Sequence, residues 1–288
     1  MKFFKVFLLV FLFVISSGCA EYKEIKNTRV LKDISYGTKE LQKLDVYLPS
    51  NFHNKKLPVH IYVHGGAWSM GDKSSAKTHG EFYSDKGIIF VSLNYRLSPE
   101  NKHPAQTEDV AKGIKWVVDN ISKYGGDTKN LYISGHSAGA HIISLVTTDY
   151  KYLGAYNLKP TIFKKVIPVD TASFDLTVPA EGGGSRLVNR KINQNFGRSI
   201  VKKREASPTQ QVKKNTRNPN YQLPEFLIFV SSKRNSAVEQ TKTFANVLNL
   251  AGSKTELIIV NGKTHGEMNK DISVPNSIVS NAILNVIK

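Results

Sequence analysis

The sequence predicts an α/β fold in which a mainly parallel sheet is covered by helices on both faces. Short runs rich in β-branched and aromatic residues alternate with longer helical patterns, as in repeated strand and helix units. The chain has 288 residues, of which 40% are hydrophobic, and no internal repeat divides it. We therefore expect a single domain with one large core, spanning residues 43–288.

Strands and helices are predicted from composition and from the spacing of apolar residues. The strands are expected at residues 44–48, 59–63, 88–93, 131–134, 165–169, 226–230 and 257–260. The helices are expected at residues 76–86, 104–123, 138–148, 237–251 and 275–287. In the second of these helices an apolar residue recurs every three or four positions, so one face is apolar: Val110, Ile114, Val117 and Ile121.

Residues 173–223 do not follow this alternation. They contain a glycine-rich loop at residues 181–184, and ten Lys or Arg side chains from Arg186 to Arg217 face Glu205 alone. Inserted segments in α/β sheets lie above the carboxyl ends of the strands, where ligands bind. We expect a cap that brings positive charge to the mouth of a site. The alternative is a solvated basic face without a role in substrate choice.

The amino terminus has the organisation of an export signal. Lys2 and Lys5 precede an apolar stretch at residues 6–15 and small residues at 16–18, which predicts a signal peptide over residues 1–18. Cys19 is the only cysteine and resembles the lipidated cysteine of bacterial lipoproteins. An ordinary signal peptide with an incidental cysteine is the alternative. With a lipid on Cys19, residues 19–42 are expected to form an N-terminal anchor segment.

The residue after Cys19 gives a prediction of location. It is Ala20, whereas lipoproteins retained at the inner membrane often carry Asp there. We therefore expect an exported protein, held by a lipid on Cys19 in the outer membrane and facing the periplasm.

The chain is strongly basic. Its formal net charge is +17, and loss of Lys2 and Lys5 with the signal peptide leaves +15. No zinc-ligand spacing, helix-turn-helix pattern or RNA-binding aromatic string accompanies the charge, so nucleic acid is not an expected partner. Attraction to anionic lipid or envelope polymers, or a plain solvated surface, explains it more simply. The sequence indicates no particular oligomeric state.

Two short strings carry the chemistry. Residues 135–139, Gly-His-Ser-Ala-Gly, follow an apolar run and open a helical pattern. A G-x-S-x-G turn between strand and helix is where hydrolases hold a nucleophilic serine, here Ser137. Alone, the string is also compatible with a glycine-rich turn. The second string, His-Gly-Gly-Ala-Trp at residues 64–68, follows another apolar run, as do strings that donate backbone N–H groups to an oxyanion hole.

These strings predict the donors for a developing negative charge. We expect the backbone N–H groups of Gly65, Gly66 and Ala138 to form the oxyanion hole. Glycine suits the first two positions because it lets the backbone approach a ligand without a Cβ. Trp68 is either a wall of the substrate pocket or an aromatic side chain packed beneath the loop.

Further strings extend the pattern, at residues 45–49 (DVYLP), 71–73 (GDK), 94–100 (NYRLSPE) and 104–106 (PAQ). Together with Asp109 and the two strings above, they resemble α/β-hydrolases of the carboxylesterase type. The feruloyl-esterase-like, hormone-sensitive-lipase-like and kynurenine-formamidase-like enzymes are the most similar groups. The resemblance runs from about residue 45 to 145 and resumes from 225 to the end. It implies a structural role for Asp109.

The base is predicted from the order of the catalytic residues. In α/β-hydrolases the serine comes first, the acid next and the histidine last, which selects His265 on the loop after the last predicted strand. The acid usually follows the strand that here is 226–230, but residues 231–238 contain no carboxylate. Asp170, after the preceding strand, is the first choice, with Glu239 second and Glu267 third. A Ser–His dyad oriented by Asn235 or Ser236 is the remaining possibility.

Three functions remain open from the sequence. The first is an envelope-anchored enzyme that hydrolyses small carboxylic esters through an acyl-enzyme. The second is an amidase that resembles formamidases. The third, motivated by the missing acid, is a weakly active or non-catalytic binding protein of the same fold. The motifs call for no metal and no organic cofactor.

Overall fold

The computed structural model describes residues 28–50, 56–182, 184–216, 218 and 220–287. Within them the chain forms an eight-stranded sheet of order β1-β2-β4-β3-β5-β6-β7-β8. The strands are β1 (Thr28–Ser35), β2 (Lys43–Pro49), β3 (Leu57–Val63), β4 (Ile89–Leu93), β5 (Gly126–His136), β6 (Phe163–Val169), β7 (Glu225–Ser231) and β8 (Thr255–Val260). The strands from β3 to β8 pair in parallel, whereas β1 and β2 are antiparallel. The predicted mainly parallel α/β fold is confirmed.

Ten α-helices connect or flank the described strands. They are α1 (Lys77–Asp85), α2 (Ala105–Asn120), α3 (Ala138–Thr148), α4 (Tyr150–Gly154), α5 (Ser185–Phe196), α6 (Ile200–Glu205), α7 (Pro208–Asn215), α8 (Asn235–Leu250), α9 (His265–Lys270) and α10 (Ile278–Val286). Short 3₁₀ helices lie at Lys73–Ala76, Ile121–Tyr124 and Pro160–Ile162. The five predicted helices are all present, with ends that differ by a few residues.

The core has a layer on each face of the sheet, because the parallel strands are buried on both sides. One layer contains apolar residues of α2, α3 and α8, and the other contains residues of α1 and α10. The four residues expected on one face of the predicted helix 104–123, from Val110 to Ile121, are fully buried in the first layer. The apolar spacing in that segment therefore identified the packed face correctly.

The sequence placed the start of the domain too late. Thr28–Ser35 is an edge strand that pairs with β2, so the fold includes residues assigned to an anchor segment ending at residue 42. The strand was missed because it carries polar residues on both faces and has mostly partial burial, as an edge strand allows. The predicted signal peptide, Cys19 and residues 20–27 of the anchor segment lie outside the described residues. No described helix is long and apolar enough to span a bilayer.

The insertion at residues 173–223 is helical. Helices α5, α6 and α7 form it, and all three begin or end near Gly or Pro residues, which explains why their short patterns were not recognised. Phe196 and Val212 are buried in the core layer that contains α3, so the cap is part of the domain's packing. His141 on α3 fixes the junction of α6 and α7, since its Nε2 lies 2.9 Å from the Ala206 carbonyl oxygen.

Candidate active site

The predicted site residues meet at one edge of the sheet. Parallel strands share the edge at which their carboxyl ends lie, and β3, β5, β6 and β8 each lead from that edge into a loop or turn with a candidate residue. These residues are Gly65 and Gly66 after β3, Ser137 after β5, Asp170 after β6 and His265 after β8.

Ser137 occupies a sharp turn between β5 and α3. Its backbone has φ 56° and ψ −118°, a strained conformation for a residue with a side chain. A Cβ on Gly135 would lie 2.6 Å from the carbonyl carbon of Gly139, and one on Gly139 would lie 2.1 Å from the Val63 oxygen. Only glycine fits at either position, so the two glycines of the motif permit the turn that presents the Ser137 hydroxyl.

A chain of contacts connects the hydroxyl to a carboxylate. His265 Nε2 lies 3.0 Å from Ser137 Oγ, and His265 Nδ1 lies 2.6 Å from Asp170 Oδ2. The Ser231 backbone N–H donates to the other Asp170 oxygen at 3.0 Å. The structure thus brings together the serine, the histidine and the first choice of acid from the sequence, in the arrangement of a catalytic triad.

The alternative acids do not reach the histidine. The Glu239 side chain is 72% exposed and pairs with Lys242 at 2.9 Å. Glu267 is exposed and forms a capping box with Thr264 at the start of α9. Ser236 accepts a hydrogen bond from the Glu181 N–H instead of approaching the ring. The described side chains in hydrogen-bond range of the His265 ring nitrogens are those of Ser137, Asp170 and Arg234.

The Asp170 carboxylate is fully buried, yet it is held ionised. Burial alone would raise its pKa, but the His265 hydrogen bond, the Arg234 charge and the Ser231 N–H outweigh that effect and lower the pKa below its usual value. Sequence reasoning missed Arg234. A cation in the loop after β7 was visible, but its contact with a residue after β6 depends on the packing of two loops.

His136, the second residue of the motif, lies against the candidate base. Its ring centroid is 4.4 Å from that of His265, and its Nε2 donates to the His265 carbonyl oxygen at 3.0 Å. Burial, helped by the charge of His265, lowers the His136 pKa to about 3, so its ring is neutral at neutral pH. The ligand-type atoms of His136, Asp170 and His265 lie within 4.8 Å of one another. Hydrogen bonds account for this grouping, so we assign no metal to it.

The predicted oxyanion loop lies beside the nucleophile. A Cβ on Gly65 would lie 3.1 Å from Ser137 Cβ, so the Gly65 backbone is close to the reacting hydroxyl. Gly66 has φ 118°, and a Cβ there would lie 1.9 Å from the Met70 oxygen. Among the described residues, no backbone acceptor takes the N–H groups of Gly65, Gly66 or Ala138. These N–H groups are available to a ligand, and Ala138 adds the amino terminus of α3.

Trp68 lies in the packed layer between this loop and the cap. It is 5% exposed, and its ring contacts Phe196 of α5 at 5.0 Å and His141 of α3 at 5.3 Å, both in perpendicular arrangements. These contacts favour the packing interpretation of Trp68 over that of an open pocket wall. Asp109 is buried and bound to Arg96, as the expected structural role requires.

A nucleophile turn after β5, a carboxylate after β6 and a histidine after β8, on a mainly parallel sheet, define an α/β-hydrolase. The comparison with family models refines this class. The model of the BD-FAE family matches residues 44–248, and the chain belongs to that family. The resemblance to carboxylesterase-type hydrolases is therefore confirmed.

Named relatives and solved structures agree with this class. An isoprenylcysteine alpha-carbonyl methylesterase of Arabidopsis thaliana is 31% identical over 260 residues, covering 86% of this chain and 59% of the relative. A kynurenine formamidase of Danio rerio is 34% identical over 136 residues, which cover 47% of this chain and 44% of the relative. The chain thus spans less than two thirds of either relative. The crystal structure of esterase B from Lactobacillus rhamnosis (HN001) shares the fold, with TM-score 0.74, 19% identity and 90% and 84% coverage of the two chains.

Proposed function

We propose that this protein is a serine hydrolase that cleaves carboxylic esters through an acyl-enzyme intermediate. The observation that carries the proposal is the unbroken series of contacts from Ser137 Oγ through His265 to a buried, ionised Asp170. The plant relative named as a methylesterase supports the choice of an ester as substrate. The reaction uses the residues of the site and one water molecule.

The first half of the reaction forms the acyl-enzyme. Ser137 Oγ attacks the carbonyl carbon while His265 Nε2 takes the hydroxyl proton, and the carbonyl oxygen becomes an oxyanion. The N–H groups of Gly65, Gly66 and Ala138 are the proposed donors to that oxyanion. Each such donor is worth about 2.7–4 kcal/mol of transition-state stabilisation. The C–O bond then breaks, and the alcohol leaves with the proton from His265.

The second half regenerates the enzyme. A water molecule gives a proton to His265 Nε2 and attacks the acyl carbon, and a second oxyanion forms in the same hole. When that intermediate collapses, Ser137 recovers the proton and the carboxylic acid is released. Throughout, Asp170 is proposed to accept a hydrogen bond from the His265 Nδ1–H. This bond keeps Nε2 free as the base and stabilises the imidazolium.

Substitution of the nucleophile tests the proposal. Ser137→Ala should lower kcat for short p-nitrophenyl esters by at least about 10⁴-fold, because the attacking oxygen is lost. Ser199→Ala is the matched control, since Ser199 is exposed on the cap and its side chain caps nothing. A fluorophosphonate probe should label the wild type and the control, but not Ser137→Ala. Unchanged turnover in Ser137→Ala would reject the proposal, and absent labelling of folded wild type would favour a binding protein.

An amidase is the second candidate, because a formamidase is among the relatives. The same nucleophile and base serve both reactions, but an amine leaving group depends more strongly on protonation by His265. Side-by-side assays of an aryl ester and the corresponding formamide should give the higher kcat/KM for the ester. The opposite ratio would assign the protein to amide hydrolysis.

We also propose that the protein is exported and attached by a lipid on Cys19 to the outer membrane, facing the periplasm. The support is the sequence of residues 1–20 alone. In a Gram-negative host fed a labelled fatty acid, the full chain should incorporate the label and fractionate with the outer membrane. Cys19→Ala should lose the label. A labelled Cys19→Ala protein, or a wild type released without a lipid, would contradict the anchor.

A further inference from the structure

Arg234 contacts the candidate triad from the loop after β7. Its Nη1 lies 2.9 Å from Asp170 Oδ2, 2.9 Å from the Asp170 carbonyl oxygen and 3.1 Å from His265 Nδ1. We infer that Arg234 is a positioning residue that holds the Asp170 carboxylate in the orientation His265 requires. The inference rests on the proposed function and adds a fourth side chain to its site.

Asp170 needs such a partner because of its surroundings. The carboxylate is fully buried, and residue 170 has φ 52°, a left-handed backbone conformation. A buried carboxylate is stable only when it is paired and its oxygens accept hydrogen bonds. The Ser231 N–H donates to Asp170 Oδ1, and Arg234 and His265 both contact Asp170 Oδ2. Arg234 also binds the backbone oxygen of Asp170, so it fixes both the side chain and the strained backbone.

Proton positions decide what Arg234 does to His265. A distance of 2.6 Å between Nδ1 and a carboxylate oxygen requires a proton between them, so Nδ1 carries the hydrogen. Nδ1 then has no lone pair to accept from Arg234, and the Nη1 hydrogens of Arg234 go to Asp170 Oδ2 and to the Asp170 carbonyl oxygen. This arrangement selects the tautomer in which Nε2 accepts the Ser137 proton.

The positive charge of Arg234 also has an unfavourable effect. The guanidinium lies beside the ring that becomes an imidazolium during the reaction, and like charges repel. The Asp170 charge compensates for this repulsion. Arg234 should therefore favour turnover only while residue 170 carries a carboxylate. Without that carboxylate, an uncompensated cation would face the imidazolium, and its removal should help.

The chain contains a matched control for this ion pair. Arg96 binds the buried Asp109 through Nη2 to Oδ1 at 2.7 Å and through Nε to Oδ2 at 2.8 Å. Its side chain is about as exposed as that of Arg234, at 21% against 24%. This pair connects the loop after β4 to α2, whereas the Arg234 pair lies in the site. Arg96→Gln likewise removes an ion pair between Arg and a buried Asp, but one outside the site.

The Arg234 side chain can also be reached from solvent. A cavity of about 750 Å³ lies between the cap and α8, and Arg234, Ser236 and Val178 are among the residues that line it. A guanidinium ion can therefore enter the space that Arg234→Ala would vacate. This access makes chemical rescue a practical measurement.

The experiment is a double-mutant cycle between Arg234 and Asp170, measured as kcat and KM on one p-nitrophenyl ester. Arg234→Gln should lower kcat about 10- to 100-fold with little change in KM, and Arg234→Lys should recover part of the loss. In the Asp170→Asn background, Arg234→Gln should leave kcat unchanged or raise it. Arg96→Gln should have the same effect in both backgrounds. Millimolar guanidinium should raise the turnover of Arg234→Ala and leave that of Arg96→Ala unchanged.

Equal losses from Arg234→Gln in both backgrounds, or a change in KM alone, would overturn the inference. If Arg234→Gln does not fold, Arg234→Lys and the rescue of Arg234→Ala decide the question. Circular dichroism and thermal unfolding identify folded variants. Failure of the proposed function is separable, because it would appear as an inactive wild type or an active Ser137→Ala variant.

Discussion

The loops that carry the site and the cap above them are built in different ways. The site residues are tied to the strand ends by short hydrogen bonds, and the acid among them is fully buried. The cap exposes most of its cations and several aliphatic side chains, including Leu187, Ile200 and Val201. Its inner side packs on the rest of the domain through buried residues such as Val212 and Phe196, whose ring contacts Trp68. The strand ends therefore determine the geometry of the candidate site, whereas the cap combines a packed inner side with a charged outer surface.

The largest expected effect lies in the site. Asp170→Asn should lower kcat for an aryl ester by about 10⁴-fold, because the neutral amide leaves His265 without its orienting charge. Glu239→Gln is the matched control, since that carboxylate is exposed and paired with Lys242. Steady-state kinetics of both variants provide the measurement. A large loss in Glu239→Gln with an active Asp170→Asn would reverse the assignment of the acid.

The next largest effect is expected on stability, at the contact between the cap and the domain below it. Phe196→Ala should lower the free energy of unfolding by about 3–5 kcal/mol, because a buried ring that packs on Trp68, His141 and His103 is removed. Leu187→Ala, on the same helix but 57% exposed, should change it by less than about 0.5 kcal/mol. Urea denaturation of both variants measures the two free energies of unfolding. Similar small effects would mean that the cap does not contribute to the core.

The dependence of stability on pH should come from the scaffold, since the cap sequence contains no histidine. Burial lowers the pKa of five scaffold histidines to about 3 or 4: His60, His79, His103, His136 and His141. Below about pH 6.5 the unfolded chain protonates these rings and the folded chain does not. Stability is thus complete above that pH and is lost as the pH falls towards 4.

A single substitution measures one histidine's share of this loss. His60→Asn should reduce the loss of unfolding free energy between pH 6 and pH 5 by about 1.2 kcal/mol, because nearly one proton fewer is bound on unfolding. Urea denaturation at both pH values is the measurement. An unchanged loss would show that His60 is protonated in the folded chain.

The smallest effect on the free energy of unfolding is expected from substitutions on the cap surface. Replacing the exposed cations Arg186, Arg190, Lys202 and Lys214 by Gln, one at a time, should change the unfolding free energy by less than about 0.5 kcal/mol each. Lys73→Gln is the contrasting variant, because Lys73 is buried and pairs with Asp45 at 3.0 Å. Its loss should cost about 3–5 kcal/mol. A destabilised cap variant would mean that these cations make structural contacts.

The sequence predicted the fold and two members of the candidate triad because each depends on local order. Ser137 and its glycines form a turn within five residues, and His265 follows from its place in the chain. The acid could only be ranked, since choosing Asp170 over Glu239 requires knowing which loop lies beside the His265 ring. Arg234 was missed for the same reason. Contacts between loops after different strands depend on the packing of the whole sheet edge, which no local pattern records.

The position of the acid has a consequence for protein engineering. The cap segment begins three residues after Asp170, so the covalent connection between cap and domain passes through the site. A chimaera that exchanges the cap with that of a relative would have its first junction within a few residues of the candidate acid. Its second junction, before β7, lies at the opposite end of that strand from Arg234, where Tyr221 is buried and donates its hydroxyl to the Thr148 carbonyl oxygen at 2.8 Å. Cap exchange should therefore affect activity through the upstream junction and stability through the downstream one.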